Sequence, residues 1–250
     1  MLENLKSLYN LKQVIKFIQK KKYLEIIVHN KNLQKKLNIS IDTYIKFYNQ
    51  IEIEIIPDIS ELEEDDVANK FIKINPECDK PFFHIYFDES HEEVKRNYLN
   101  KKDKISKIKV LIDMEVKSLS YLFYYSLAKE IKFIKNNRNY SSDTDYSHMF
   151  YECKNLINLD ISKLKANNVK DMSCMFYNCS SFKNLNLSNC KTDQVTDISN
   201  MFAGCSSLEA LDLSNFKTDN INKMDYAFHD CISLKELNIS NILYLIIRLM

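Results

Sequence analysis

Seven cysteines, five histidines and one run of carboxylates are the residues in this 250-residue chain whose chemistry could go beyond packing. Four of the cysteines, Cys153, Cys179, Cys205 and Cys231, are spaced 26 residues apart. Thiols at one repeat position could stack into a metal or redox ladder, but a metal site needs ligands that converge, and no second ligand type recurs in register with them. Packing as small buried side chains is the better reading of that spacing. The sequence holds no Cys-x-x-Cys pair, so the thiols read as the free cysteines of a reducing compartment. His29, His84, His91, His148 and His229 are scattered, and none joins a cysteine and a carboxylate at a spacing that would make a nucleophile or a zinc site. The acidic run Asp58 to Asp66 contains no histidine and reads as a solvated loop. The single glycine, Gly204, excludes P-loops, dinucleotide folds and protein kinases, whose phosphate-cradling turns need several glycines. No catalytic residue, metal, cofactor or small-molecule substrate is therefore expected, and the chain reads as a non-enzymatic binding module.

The elements that position these residues are set by a repeat. Phe150, Phe176, Phe202 and Phe228 share the 26-residue step of the cysteines. The same step relates Leu156, Phe182, Leu208 and Leu234; Leu159, Leu185, Leu211 and Leu237; and Ile161, Leu187, Leu213 and Ile239. Val169 with Met172 recurs as Val195 with Ile198 and as Ile221 with Met224. Leu-x-x-Leu-x-Leu ends in an alternation that suits a short strand. The stretch Val195, Ile198, Met201, Phe202 and Cys205 has steps of three and four, which suit a helical turn or two. One strand and one return stretch make a coil that cannot bury its own apolar face, so neighbouring coils must stack, with parallel strands about 4.8 Å apart.

The segments DMSCMFYNCSSFKNLNLSN (171–189) and DISNMFAGCSSLEALDLSNFKTDNINKM (197–224) closely resemble the BspA-like leucine-rich repeats, the mycoplasma-lipoprotein type of repeat. The resemblance covers residues 150–241. It implies an α/β fold, a leucine-rich-repeat-like solenoid with parallel strands used for protein binding, often on cell surfaces as an adhesin. Leu122-Phe123 and Ile131-x-Phe133 look like a degenerate first repeat, with Ile108, Val110 and Ile112 as its lead-in strand.

Upstream, Leu5, Leu8, Leu11, Ile15 and Ile18 recur at helical spacing, and two further helical stretches follow through Ile26 to Leu37 and Ile41 to Tyr48. Ile51, Ile53 and Ile55 alternate with Glu52 and Glu54 like a strand, Phe82 to Phe87 reads as another, and Ser90 with Glu93 suggests a capping box opening a short helix to about Leu99. The expected organisation is a helical module over 1–50, an acidic loop with an α+β connecting and capping region over 51–104, and the repeat solenoid over 105–250. Residues 1–50 carry ten basic and three acidic side chains, and 51–100 carry five and fourteen, an asymmetry that lets the two segments attract each other or the first bind anions. No aromatic-basic motif accompanies the lysines, so nucleic acid is not the expected partner.

Function is expected on the strands. With Leu159 and Ile161 inward, Asn158 and Asp160 face outward, joined by Asn184, Asn186, Asp212, Glu236 and Asn238 on the following coils. This concave face would take a partner protein of unknown identity; the alternative is that its Asn and Ser side chains only bridge neighbouring coils. Met1 to Asn10 lack the pattern of a secretory signal, and the apolar run Ile242 to Met250 is about half the ~20 residues of a bilayer crossing. A cytoplasmic scaffold without a transmembrane segment is expected, the alternative being a surface adhesin or host-contact protein exported by a non-classical route. The tail after Asn241 should fold over the last coil or form a self-association edge.

Overall fold

Isoleucine and glutamate alternate from Ile51 to Ile55, and a period of two is what a strand with one wet face requires. In the computed structural model this segment is β1 (Ile51–Pro57), with Ile51, Ile53 and Ile55 fully buried. The structure describes residues 31, 32, 35, 50–62, 69–75, 77–113, 116, 118–136, 145–164, 166, 168–188, 190, 192–217 and 219–239. The chain divides into two compact units, Met1–Gln50 and Ile51–Met250, of which the second carries every strand of the described residues.

The same alternation builds β2 (Phe83–Phe87), β3 (Ile108–Ile112) and β4 (Ala128–Asn136). β3 pairs antiparallel with β2 and with β1, its Val110 lying opposite both Ile85 and Ile53. β1 in turn pairs antiparallel with β4, which pairs in parallel with β5 (Asn158–Asp160) through Ile131 and Leu159. The sheet order is β2-β3-β1-β4-β5. A second, wholly parallel sheet follows, made of β6 (Asn184–Leu185), β7 (Ala210–Asp212) and β8 (Glu236–Asn238), with Leu185, Leu211 and Leu237 in register. No ladder joins β5 to β6.

This architecture overturns the expected α/β fold class. The described residues of the Ile51–Met250 unit contain no α-helical element, only strands, turns and two short 3-10 stretches, Ile59–Glu61 and Glu77–Phe82. The larger sheet is antiparallel except for β4 with β5, and the parallel pairings are short, three, two and three residue pairs against five, seven and five in the antiparallel ones, so they are not the frame of a leucine-rich-repeat-like solenoid. Ile108–Ile112 is an inner antiparallel strand, and it is β4 that leads into the repeats. Of the expected N-terminal helical module, Lys31, Asn32 and Lys35 are helical and Gln50 is not, and the remainder lies outside the described residues, as does the tail after Ile239. β1 and β2, from the expected connecting region, hydrogen-bond in one sheet with β3 and β4. The helix expected after Ser90 is also absent: the Ser90 hydroxyl accepts the N–H of Glu92 at 3.1 Å, and the Val94 N–H is drawn to the Ile85 carbonyl at 2.7 Å. Glu93 turns to His84 at 3.2 Å and to Lys95 instead of back to a helix start.

The return stretches explain why steps of three and four did not make helices. Met175, Tyr177 and Cys179 close tight turns onto Met172, Cys174 and Phe176, while the residues between them send their N–H groups out of the stretch. Cys174, Phe176 and Asn178 donate to the carbonyls of Ser199, Met201 and Ala203 of the next coil, at 2.9, 2.9 and 2.8 Å. With alternate donors committed to another coil, an i to i−4 ladder cannot form. The chain accommodates this by entering the left-handed region at Cys174, Asn178, Asn200 and Gly204. Gly204 lies at φ 74°, and a Cβ there would come within 1.8 Å of the Asn178 side-chain oxygen, whose amide nitrogen donates to Glu152 at 2.7 Å. The only glycine therefore sits where one coil's amide leans across the next.

Between strands and returns lies the core. Phe123, Phe150, Phe176, Phe202 and Phe228 stack ring on ring, with centroids 5.2, 5.4, 5.6 and 5.6 Å apart. The cysteine column packs beside them, and each thiol donates to a phenylalanine carbonyl of the preceding coil: Cys153 to Phe123, Cys179 to Phe150, Cys205 to Phe176 and Cys231 to Phe202, at 2.9 to 3.1 Å. Burial pushes the Cys179 and Cys205 thiols well up and that of Cys190 to about 12, which keeps all three protonated at neutral pH. Native protein is accordingly expected to leave these three unalkylated by a thiol reagent and to label them once denaturant is added. Mass spectrometry of tryptic peptides checks this, and rapid native labelling of Cys205 would contradict the stacking.

Candidate functional site

The polar positions that alternate with the inward leucines of β5 to β8, buried at Leu185 and Leu211 and partly buried at Leu159 and Leu237, line one side of the Ile51–Met250 unit. Asn184 lies beside Ala210, which lies beside Glu236, and Asp212 lies beside Asn238, all in parallel register. Asn184, Asn186, Asp212, Glu236 and Asn238 line an open cleft of about 470 Å³. Asn158 and Asp160, on the neighbouring sheet, line a second cleft of about 340 Å³ that Asn184 and Asn186 share. All seven residues expected to bind a partner are thus placed on two adjoining clefts. A smaller hollow of about 170 Å³, edged by Asp160, Ser162 and Asn186, lies at the break between β5 and β6.

One column of this face has a local duty. Asp160, Asn186 and Asp212 each accept, through Oδ1, the N–H of the serine two residues on, Ser162, Ser188 and Ser214, at 3.0, 3.0 and 2.8 Å. Aspartate and asparagine share that acceptor, which accounts for their exchange along the column and for its occurrence where the strand ends. The serine hydroxyl and N–H hold the Asp160 carboxyl below its ordinary range, and the Ser214 N–H and hydroxyl do the same for Asp212. Both are anionic at neutral pH. Asn158, Asn184 and Glu236 are exposed in the other column, and no such turn is recorded for them.

Charge is distributed unevenly along the face. Toward the first sheet it is paired across strands: Lys109 with Glu52 at 2.7 Å, Lys107 with Glu54 at 3.6 Å and Lys132 with Asp160 at 3.9 Å. Toward the last strands, Asp212 and Glu236 have no cation within ion-pair distance among the described residues, although Lys235 pairs with Glu209 at 3.2 Å. Among the described residues the face therefore ends in uncompensated negative charge.

Sequence reasoning missed the other half of the second cleft: Glu54 and Ile56 of β1, and Glu130 and Lys132 of β4. Their strands were visible as alternations, but only the long-range pairing of β1 with β4 and of β4 with β5 brings them beside Asn158 and Asp160.

The histidines among the described residues are dispersed. His84 sits between Glu93 at 3.2 Å and Asp113 at 3.3 Å, His148 stacks on Tyr121 at 4.6 Å, and His229 lies 3.1 Å from Asp230. Burial lowers the His148 pKa and raises that of Tyr151 to about 12, so both are neutral at pH 7. Among the described residues, no three His, Cys, Asp or Glu side chains are grouped to hold a metal ion, and no helix is long and apolar enough to cross a membrane.

A family model described as "Mycoplasma protein of unknown function, DUF285" matches residues 144–242. That family is related to the BspA-like repeat proteins, and the match spans the repeat columns from Phe150 to Phe228. No curated protein and no solved structure matches the chain.

Proposed function

We propose that this chain is a non-enzymatic protein-interaction module that binds a partner protein through the polar face of β4 to β8. The observation that carries the reading is the pair of carboxylates, Asp212 and Glu236, without a compensating cation among the described residues, on a cleft otherwise lined by amides, Ser188, Ala210 and the leucines Leu185, Leu187 and Leu211. Short side chains on in-register strands let a partner approach closely. The unpaired charge favours a partner presenting a basic, exposed segment and steers its approach. Asn158, Asp160, Asn184, Asn186, Asp212, Glu236 and Asn238 are the proposed contact residues, and a cytoplasmic scaffold is the proposed setting.

The test exploits the double duty of the aspartates. Asp160→Asn, Asp212→Asn and Glu236→Gln combined remove the charge while each asparagine keeps the oxygen that accepts the serine N–H, as Asn186 does. Proteins captured from the native lysate by the wild type in a salt-sensitive manner are expected to be lost with the triple variant, because exposed charges act through a screened field. Capture of the same proteins with the same salt dependence by both forms would overturn the reading.

A further inference from the structure

Each coil of the stack is covered by the next, and the last described one is not. Phe150, Phe176 and Phe202 are fully buried, whereas Phe228, one rung on, is only partly so, and so are Leu234, Leu237 and Ile239. Ile232 and Tyr226 are 82% and 69% exposed. Among the described residues β8 is an edge strand of its sheet. The Asn238 carbonyl accepts the Leu213 N–H at 2.9 Å and the Glu236 N–H reaches the Glu209 carbonyl at 3.2 Å, so both residues turn their backbone groups back toward β7. By the alternation of a strand, Leu237 between them turns its own N–H and C=O to the open edge. An edge of that kind is a template for a further strand.

We propose that this edge is a self-association surface on which two copies of the chain pair β8 with β8, antiparallel, about a two-fold axis that passes midway between their two Leu237 residues. Three features of the edge suit a second copy. The outward N–H and C=O of one Leu237 meet those of the other, so both hydrogen bonds of the pair are closed by symmetry. In that register Glu236 faces Asn238 of the second copy at both ends of the pair, and no carboxylate faces another. An axis lying in the plane of the coil also lays strand on strand and return on return, which covers the open sides of Phe228, Leu234 and Leu237 with their own counterparts. The segment after Ile239 is the competing cover for the same edge.

Sedimentation of the full chain over a concentration series, with Asn238→Glu and Asn238→Lys beside the wild type, tests the proposal. Asn238 is exposed, so neither substitution disturbs the core. The wild type is expected to show a monomer–dimer equilibrium. Asn238→Glu sets like charges opposite each other twice and should weaken dimerisation roughly tenfold, whereas Asn238→Lys sets opposite charges together twice and should strengthen it roughly tenfold. A wild type that stays monomeric at every concentration overturns the proposal and leaves the edge to the following segment or another protein. A dimer that neither substitution moves also overturns it, because its interface is then elsewhere.

Discussion

Replacing Phe202 with alanine is expected to cost about 3–5 kcal/mol of stability, the range for emptying a fully buried phenylalanine site. The cost should lie toward the top of that range because the space cannot close. The neighbouring rings, Phe176 and Phe228, are held 5.6 Å away on either side by coils whose backbones are tied together. The Phe176 N–H donates to Met201 and the Phe202 N–H to Ala227, both at 2.9 Å, so neither coil can move in without breaking its own bonds. For a unit of this size the melting temperature should fall by roughly 10 °C. Phe228→Ala is the control, since that ring is only partly buried and ends the column, and it should cost clearly less. Equal losses at the two positions, or none at Phe202, would show that the rings do not form a continuous stack.

The second large effect is expected away from the repeats, in the long connection between β2 and β3. Arg96 holds Asp103 with both terminal nitrogens, Nη1 on Oδ2 and Nη2 on Oδ1, the latter at 3.0 Å. Asp103 also accepts the Asn100 N–H at 2.6 Å, while the guanidinium lies over the Phe87 and Tyr98 rings at 5.0 and 5.7 Å. The pair therefore ties the connection to the buried edge of β2. Asp103→Ala takes the carboxylate from a largely covered guanidinium, whose Nη1 also donates to the Tyr98 carbonyl at 3.1 Å, and should cost about 2 kcal/mol. The pH dependence has a definite sign. Hydrogen bonds from Arg96, and then from the Asn100 N–H, hold the Asp103 carboxyl below its ordinary range. A carboxylate depressed on folding contributes its stability above its unfolded pKa, about 3.9, and loses that contribution as the pH falls through the lower folded value. Asp88, lowered chiefly by the Ser106 hydroxyl, acts in the same direction. Acid titration of denaturant midpoints should show the wild type losing stability below about pH 4, more steeply than Asp103→Ala. Parallel curves for the two proteins would refute the role assigned to the pair.

Much of the candidate face could be read without coordinates. The 26-residue step placed Leu185, Leu211 and Leu237 inward and Asn184, Asp212 and Glu236 outward, because a strand allows only two sides once one is apolar. The cysteine column could also be read as packing, although its hydrogen bonds to the phenylalanine carbonyls could not. The return stretches misled for a definable reason. A helix and a series of tight turns both bring every third or fourth residue to one side, so Val195, Ile198, Met201 and Phe202 are buried in either case. The two differ in where the N–H groups between them go. Ser90 and Glu93 carried a similar ambiguity, which Ile85 resolved by pairing with Val94.

By itself, then, the sequence determined the repeat, its inward columns and the polar side it leaves exposed, since these follow from side-chain type and spacing. Strand pairing was settled by contacts between distant segments: the antiparallel placement of β1, β2 and β3, the break between β5 and β6, and the turns in place of helices. A backbone N–H is nearly the same in every residue, so its partner is chosen by whichever carbonyl the assembled coils bring within reach, and for Phe202 that carbonyl belongs to Ala227 on the next coil.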